Sequence, residues 1–211
     1  MSQLIIHGFP PSTYVWTARA VCAVKGVDYH LDVTPPAQVK SEAYLKEIHP
    51  FGKVPAMTHG DVHLFETLAI ALYVDNAFEG PALQPTDPAA LGKMGQWLSV
   101  ANAYFYNQVV PAYVFEYIFP KGEGGAVRQD RVDAALPAIT RSVGLMNDAL
   151  EEGPYFTGSQ LTLAELFMGP LLFSLANLPE GKQIVGAHPN VGRLLSSLSE
   201  VSPFMASAPT R

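Results

Sequence analysis

Apolar positions recur with two periods along this chain, and the change of period divides it. Leu4-Ile5-Ile6-His7 is a short apolar run ended by Gly8, and Phe9-Pro10-Pro11 cannot continue it. A helix is predicted from about Thr13 to Lys25, preceded by Ser12 and stopped by Gly26. Val27–Val33 reads as a second strand, broken by Pro35-Pro36, and Ser41–Ile48 as a short helix. In Val54–Phe65 a run after Pro55 and an alternating run, Val62 to Phe65, flank Gly60-Asp61, where a two-residue hairpin turn belongs. A helical run follows Glu66-Thr67 to about Phe78. The predicted order is β-α-β-α-β-β-α, a mixed sheet with helices on both sides.

Beyond residue 78 the period becomes helical. Glu79–Pro88, EGPALQPTDP, is a linker by composition. Ala89–Phe119 is predicted as one long helix or two, bent near Pro111. Gly122–Gly125 is a flexible turn, and apolar residues at 132, 135, 136, 139, 143, 146 and 150 mark a helix ended by Gly153-Pro154. Thr162-Leu163-Ala164-Glu165 has capping-box spacing. The helix behind it runs towards Asn177 with a bend at Pro170, and Pro189–Val201 is the last predicted helix. The division is therefore 1–78 for an α/β domain, 79–90 for a linker and 91–211 for a helical domain.

Composition narrows the classes of function. The chain has 211 residues, 48% of them hydrophobic, enough for a real core. A net charge of −6 without a long basic run argues against nucleic acid. The lone Cys22 excludes an internal disulfide and a CxxC pair, fits a reducing compartment, and sits mid-helix as a small apolar residue. No basic-flanked leader and no apolar run of membrane-spanning length is read, so a cytoplasmic protein with no membrane partner is expected. His59 and His63 straddle a hairpin turn with no third ligand in register, so no metal is expected.

The chemistry concentrates in HPFGKVPAMTHGDVHLFET, residues 49–67. Pro55 removes a ladder donor and puts Val54 at an edge or bend, able to pair its main chain with an extended peptide. The helix start at Thr67 suits a carboxylate, and Glu66 suits an ammonium. The pattern points to a site for a small anionic peptide. Taken singly, the same residues read as a strand start, an N-cap and a surface acid. Ser12, between a strand end and a helix start, is either an N-cap alone or also an anion site.

HPFGKVPA followed, after a hairpin, by Glu-Thr and a helix resembles the glutathione-binding half of the cytosolic glutathione transferases, and the α/β-then-helical layout resembles the whole family. PYFTGSQLTLAEL is similar to the stretch before the family's buried helix, with Glu165 where aspartate is usual. The resemblance implies an α+β fold, a thioredoxin-like N-terminal domain followed by an all-α bundle, with a cis Val54-Pro55 bond. It implies a transferase with glutathione as cosubstrate and a homodimer as the working form. Glutathione would be bound by Ser12, Lys40, Lys53, Val54, Glu66 and Thr67, with Lys53 at its glycyl end. Lys40 reads equally as a solvated surface charge.

Tyrosine-type members of the family carry their hydroxyl where this chain has Gly8 and Phe9. Counted back from Gly26, Ser12 and Arg19 fall where serine-type members, such as the phi and zeta classes, place their catalytic serine and a helix arginine. Ser12 is the expected catalytic residue, with Thr13 and Tyr14 as second choices. A free thiol titrates near about 8.5, and lowering that by about two units takes about 2.7 kcal/mol of preference for thiolate. One hydroxyl hydrogen bond to a charged sulfur supplies about 1.5–3 kcal/mol, and the helix end about 0.3–1 kcal/mol.

Aromatic residues crowd Trp97–Phe119 more densely than one buried stripe requires. Tyr106, Tyr113 and Tyr117 lie roughly on one face; core packing accounts for any single ring, whereas the group suggests an apolar cleft with phenols to orient an electrophile. With Phe9 they form the expected hydrophobic-substrate set, in a pocket the family places between its domains. The expected function is detoxifying conjugation of glutathione to small hydrophobic electrophiles. The rivals are a glutathione-dependent peroxidase, dehalogenase or isomerase, and a non-catalytic ligand- or protein-binding member of the fold. The zeta isomerase's Ser-Ser-Cys run is absent, which disfavours that isomerase.

Overall fold

A computed structural model describes residues 2–209. Four strands, β1 (Leu4–Gly8), β2 (Tyr29–Val33), β3 (Ala56–His59) and β4 (Val62–Phe65), form one sheet in the order β2-β1-β3-β4. β1 and β2 are parallel; β1–β3 and β3–β4 are antiparallel. The crossover from β1 to β2 is α1 (Thr13–Lys25), which begins on a side-chain cap from Ser12 and ends on Gly26 in the left-handed conformation. A 3-10 turn (Gln38–Lys40) and α2 (Glu42–Glu47) lead to β3; Gly60, with φ +59, opens the hairpin to β4, and α3 (Thr67–Ala77) follows. This is the thioredoxin-like arrangement.

Two compact units divide the described chain: residues up to Gln84 together with those from Ser199 on, and Pro85–Leu198. The C-terminal segment, expected in the helical domain, packs instead with the α/β unit. The outermost residues of the expected domains, Met1 and Thr210-Arg211, lie outside the described residues.

In the first unit Ile6, Val15, Ala18, Val21, Met57, Ile70 and Val74 form the core between the sheet and α1 and α3. Two buried basic side chains have polar partners. His7 is held between Asp32, at 2.8 Å, and Thr58, at 3.3 Å. Lys25 pairs with Asp75 at 3.1 Å, and that carboxylate also accepts from the Leu83 amide and the Gln84 side chain, which ties down the segment after α3. The C-terminal α11 (Ser202–Ala206) packs on α1: the buried Phe204 ring lies 5.1 Å from Trp16, and its carbonyl accepts from the indole.

The second unit opens with α4 (Pro88–Val100), α5 (Tyr106–Val109) and α6 (Phe115–Ile118), joined without a break by π-helical segments, Ala101–Phe105 and Val110–Val114. The expected bend at Pro111 is therefore a widened turn, which accommodates a residue with no amide to donate. Then come α7 (Gln129–Ala149), α8 (Leu163–Ala176), α9 (Pro179–Gly186) and α10 (Pro189–Glu200). α8 is apolar all round and lies at the core of this unit, with Leu166, Phe167, Met168, Leu171 and Leu172 buried. Its capping box is formed: Glu165 accepts from the Thr162 amide and hydroxyl at 2.7 Å and from the Phe156 amide at 2.8 Å. Asn190 donates two hydrogen bonds to Asn147, from its amide to Oδ1 and from its side chain to the carbonyl, and so pins α10 to the end of α7.

Candidate functional site

Strand register decides what meets what at one end of the sheet. His7 lies beside Asp32 on one side and Ala56 on the other, and Ala56 pairs with Phe65. The chain leaves β1 just past this row towards Ser12, enters β3 just before it through Val54-Pro55, and leaves β4 just past it through Glu66-Thr67. Ser12, Val54, Glu66 and Thr67 therefore share one edge of the first unit. β1 and β4 are two strand spacings apart, about 10 Å, which is also about the extended length of a tripeptide.

Ser12 caps α1, its Oγ accepting from the Val15 amide at 3.4 Å. A hydroxyl that accepts in this way keeps its proton for another acceptor. Gly8 is what lets the helix start this close to the strand end: a Cβ there would stand 2.4 Å from Val15 Cγ2. That close approach also excludes a side-chain donor at position 8. Thr13 is buried, and its carbonyl accepts from the Thr17 hydroxyl; Tyr14 and Phe9 are half-buried.

Val54 lies outside the ladder, before a cis bond to Pro55, so it is half-buried with its main chain beyond the strand. Glu66 is the only non-glycine residue with positive φ among the described residues, at φ 72 and ψ 121, a conformation that costs about 1–3 kcal/mol and is concentrated at functional sites. It stands at the N-cap position without a side-chain cap bond, its own side chain exposed. Thr67, read from sequence as the N-cap, is instead the first helical residue and is buried; the cap position moved because Glu66 takes the non-helical conformation.

Lys40 and Lys53 are exposed and are brought together by a tight turn. Gly52, at φ +58, rests against the Lys40 stem: a Cβ there would be 3.1 Å from Lys40 Cδ and 2.6 Å from the Val39 carbonyl. The Lys53 carbonyl accepts from the Tyr44 hydroxyl at 2.8 Å. Burial, with Asp32 nearby, pushes that phenol up to about 12, so it stays a donor throughout the ordinary pH range. Tyr44 and the buried His49, which also holds this loop, were not identified from sequence; Tyr44 lies on α2 with no local motif to mark it.

Tyr106, Tyr113 and Tyr117 belong to the second unit. Tyr113 is fully buried, in the core rather than on a cleft wall. Its hydroxyl donates to Glu180 at 2.9 Å and accepts from the Gly181 amide at 3.0 Å, and the Tyr117 hydroxyl donates to the same carboxylate at 2.6 Å. Burial, then the bond to Glu180, pushes Tyr117 up to about 12. On Glu180, hydrogen bonds, that from Tyr117 the largest, outweigh burial and hold the carboxyl below its usual range. Two of the three phenols thus anchor α9 and have no proton left for an electrophile. Tyr106 is half-buried.

Burial pushes the Cys22 thiol up to about 12, so it is no nucleophile. Among the described residues no cluster of three or more histidine, cysteine or acidic residues is arranged to hold a metal, and no helix is long and apolar enough to cross a membrane.

A mixed four-stranded sheet, a cis-proline loop and a helix start at each of two strand ends define a thioredoxin-like domain joined to a helical one. The chain belongs to the glutathione S-transferase family: residues 6–82 match the family's N-terminal domain and residues 129–195 its C-terminal domain. It is 28% identical over 187 residues to glutathione S-transferase F14 of Arabidopsis thaliana, covering 84% of this chain and 73% of the relative. It is 29% identical over 196 residues to glutathione S-transferase 3 of Zea mays, covering 90% and 86%. In fold it matches poplar glutathione transferase F1 with a TM-score of 0.87 over 98% of this chain and 97% of that one, at 23% identity.

Proposed function

We propose that this protein conjugates the thiolate of glutathione to small hydrophobic electrophiles, with Ser12 as the catalytic residue. The reading is supported above all by the row His7–Ala56–Phe65, which gathers Ser12, Val54, Glu66 and Thr67 along about one tripeptide's length. The cysteinyl main chain pairs with Val54. The γ-glutamyl ammonium meets Glu66, and its carboxylate meets the amides that open α3 at Thr67. The glycyl carboxylate meets Lys53 and Lys40. Ser12 Oγ donates its proton as a hydrogen bond to the sulfur, and the first turn of α1 adds its positive end. No base on the protein is needed, because the thiol ionises to bulk water and the thiolate attacks; positioning and charge stabilisation supply the rate. Phe9, directly after Gly8, is the proposed first-unit contact for an apolar electrophile. The homodimer and a detoxifying role belong to the same proposal.

Retention on immobilised glutathione and turnover of an aryl halide test the reading. Both are expected. Absence of both would favour a binding-only member of the fold, while binding with reduction of a hydroperoxide and no conjugate would favour the peroxidase. Ser12→Ala is expected to lower turnover by about 10- to 100-fold, the worth of one hydrogen bond to a charged atom, with affinity for glutathione nearly unchanged. Wild-type turnover in that variant would remove Ser12 from the mechanism.

A further inference from the structure

The turn at residues 49–52 is organised by one imidazole. His49 is only 2% exposed. Its Nδ1 accepts from the Phe51 amide at 3.3 Å, its carbonyl accepts from the Gly52 amide at 2.9 Å, and its own amide donates to the Tyr44 carbonyl at 2.9 Å. A side-chain acceptor bonded to the amide two residues on is what asparagine and aspartate do in an Asx turn. The ring also lies 5.1 Å from Phe65, the last residue of β4, and 6.3 Å from Phe51. One side chain is thus bonded into the loop that delivers Lys53 and Val54 and packed on the strand end that delivers Glu66 and Thr67.

Accepting from an amide requires Nδ1 to carry no proton, so the ring in this arrangement is neutral, with its hydrogen on Nε2. We propose that His49 is a positioning residue for glutathione, acting through the 49–53 turn, and that affinity for the tripeptide falls in acid when this ring takes up a proton. The proposal rests on the glutathione reading given above. Protonation puts a donor where the Phe51 amide needs an acceptor, and two facing N–H groups repel. The turn then opens, and the Val54 main chain loses its register with Glu66.

The charged groups around the ring set where this happens. Glu66, at the start of α3, favours the protonated ring; Lys53 in the loop and Lys40 in the 3-10 turn disfavour it; Tyr44 on α2 is an un-ionised phenol. Burial is the largest influence and, with the lysines, holds the imidazole below its ordinary value of 6.5. The neutral ring is thus fully in place above the ordinary value, and its contribution is lost as pH falls through the lowered one.

Calorimetric titration with glutathione from about pH 7.5 down to about pH 5 tests this on wild type, His49→Asn and His49→Leu. Asparagine keeps an acceptor for the Phe51 amide and cannot titrate; leucine keeps the bulk and has no acceptor. Wild type and His49→Asn are expected to bind alike at the higher pH, and only wild type to lose about five- to tenfold in affinity in acid, the worth of about one hydrogen bond. His49→Leu is expected to be weakened by a similar factor at every pH. Wild-type affinity in His49→Leu, an equal acid loss in His49→Asn, or an asparagine variant as weak as the leucine one would each overturn the proposal. Should His49→Leu not fold, the acid comparison of wild type with His49→Asn still decides it. A wild type that binds no glutathione at the higher pH overturns the glutathione reading itself, whereas binding that ignores His49 overturns only the role of this residue.

Discussion

Position 8 shows how little room single residues have here. A methyl group at Gly8 would stand 2.4 Å from Val15 Cγ2, so Gly8→Ala forces α1 away from the strand end. It is expected to cost about 1–3 kcal/mol, read as a lower midpoint in urea. Ser12→Ala removes a cap as well as the proposed catalytic hydroxyl and is expected to cost a further, separate loss of about 1 kcal/mol. Cys22, fully buried and with its thiol pushed up to about 12, is expected to resist alkylation in the native protein and to react only on unfolding; rapid native labelling would show that α1 opens. That Val54, Glu66 and Thr67 fall at one end of the sheet was legible because they sit in one short stretch whose strand, turn and helix signals are local. The phenols of Tyr113 and Tyr117 were not, because their partner, Glu180, is more than sixty residues away in the chain and carries no motif of its own.

Among the elements, the capping box before α8 concentrates the most polar satisfaction in one side chain. Glu165 is fully enclosed and satisfies two backbone amides and a hydroxyl. Glu165→Ala orphans both amides and is expected to cost about 3–5 kcal/mol, so that denaturation, or its failure to express folded, is the readout. A variant as stable as wild type would mean that water replaces the carboxylate there. The long elements could be read from period and caps: α1, α7 and α8 combine a sustained apolar pattern with strong start or stop residues. α9 and α11 were missed because they span only 8 and 5 residues and neither has a side-chain cap. The continuous helical run from Pro88 to Ile118 was read only as helix with a bend, since a π segment leaves no mark in the apolar period that a short helix would not.

Across the whole molecule, the largest departure from the sequence reading is the destination of the C-terminal segment. Its helical character says nothing about which unit it covers; that depends on the apolar face α1 leaves open around Trp16. Phe204, fully buried against that ring, is expected to lose about 3–5 kcal/mol as Phe204→Ala and to shift Trp16 fluorescence to longer wavelength. Unchanged emission and stability would show that α11 is dispensable to the first unit.

The proposed chemistry requires the start of α1, with Ser12, to favour a thiolate over a thiol. The most direct measurement is the ultraviolet thiolate titration of glutathione bound to wild type and to Ser12→Ala. The bound thiol is expected to titrate about two units below a free thiol in wild type, and to recover at least half of that difference in Ser12→Ala. A bound thiol with the same titration in both proteins would show that Ser12 does not stabilise the thiolate.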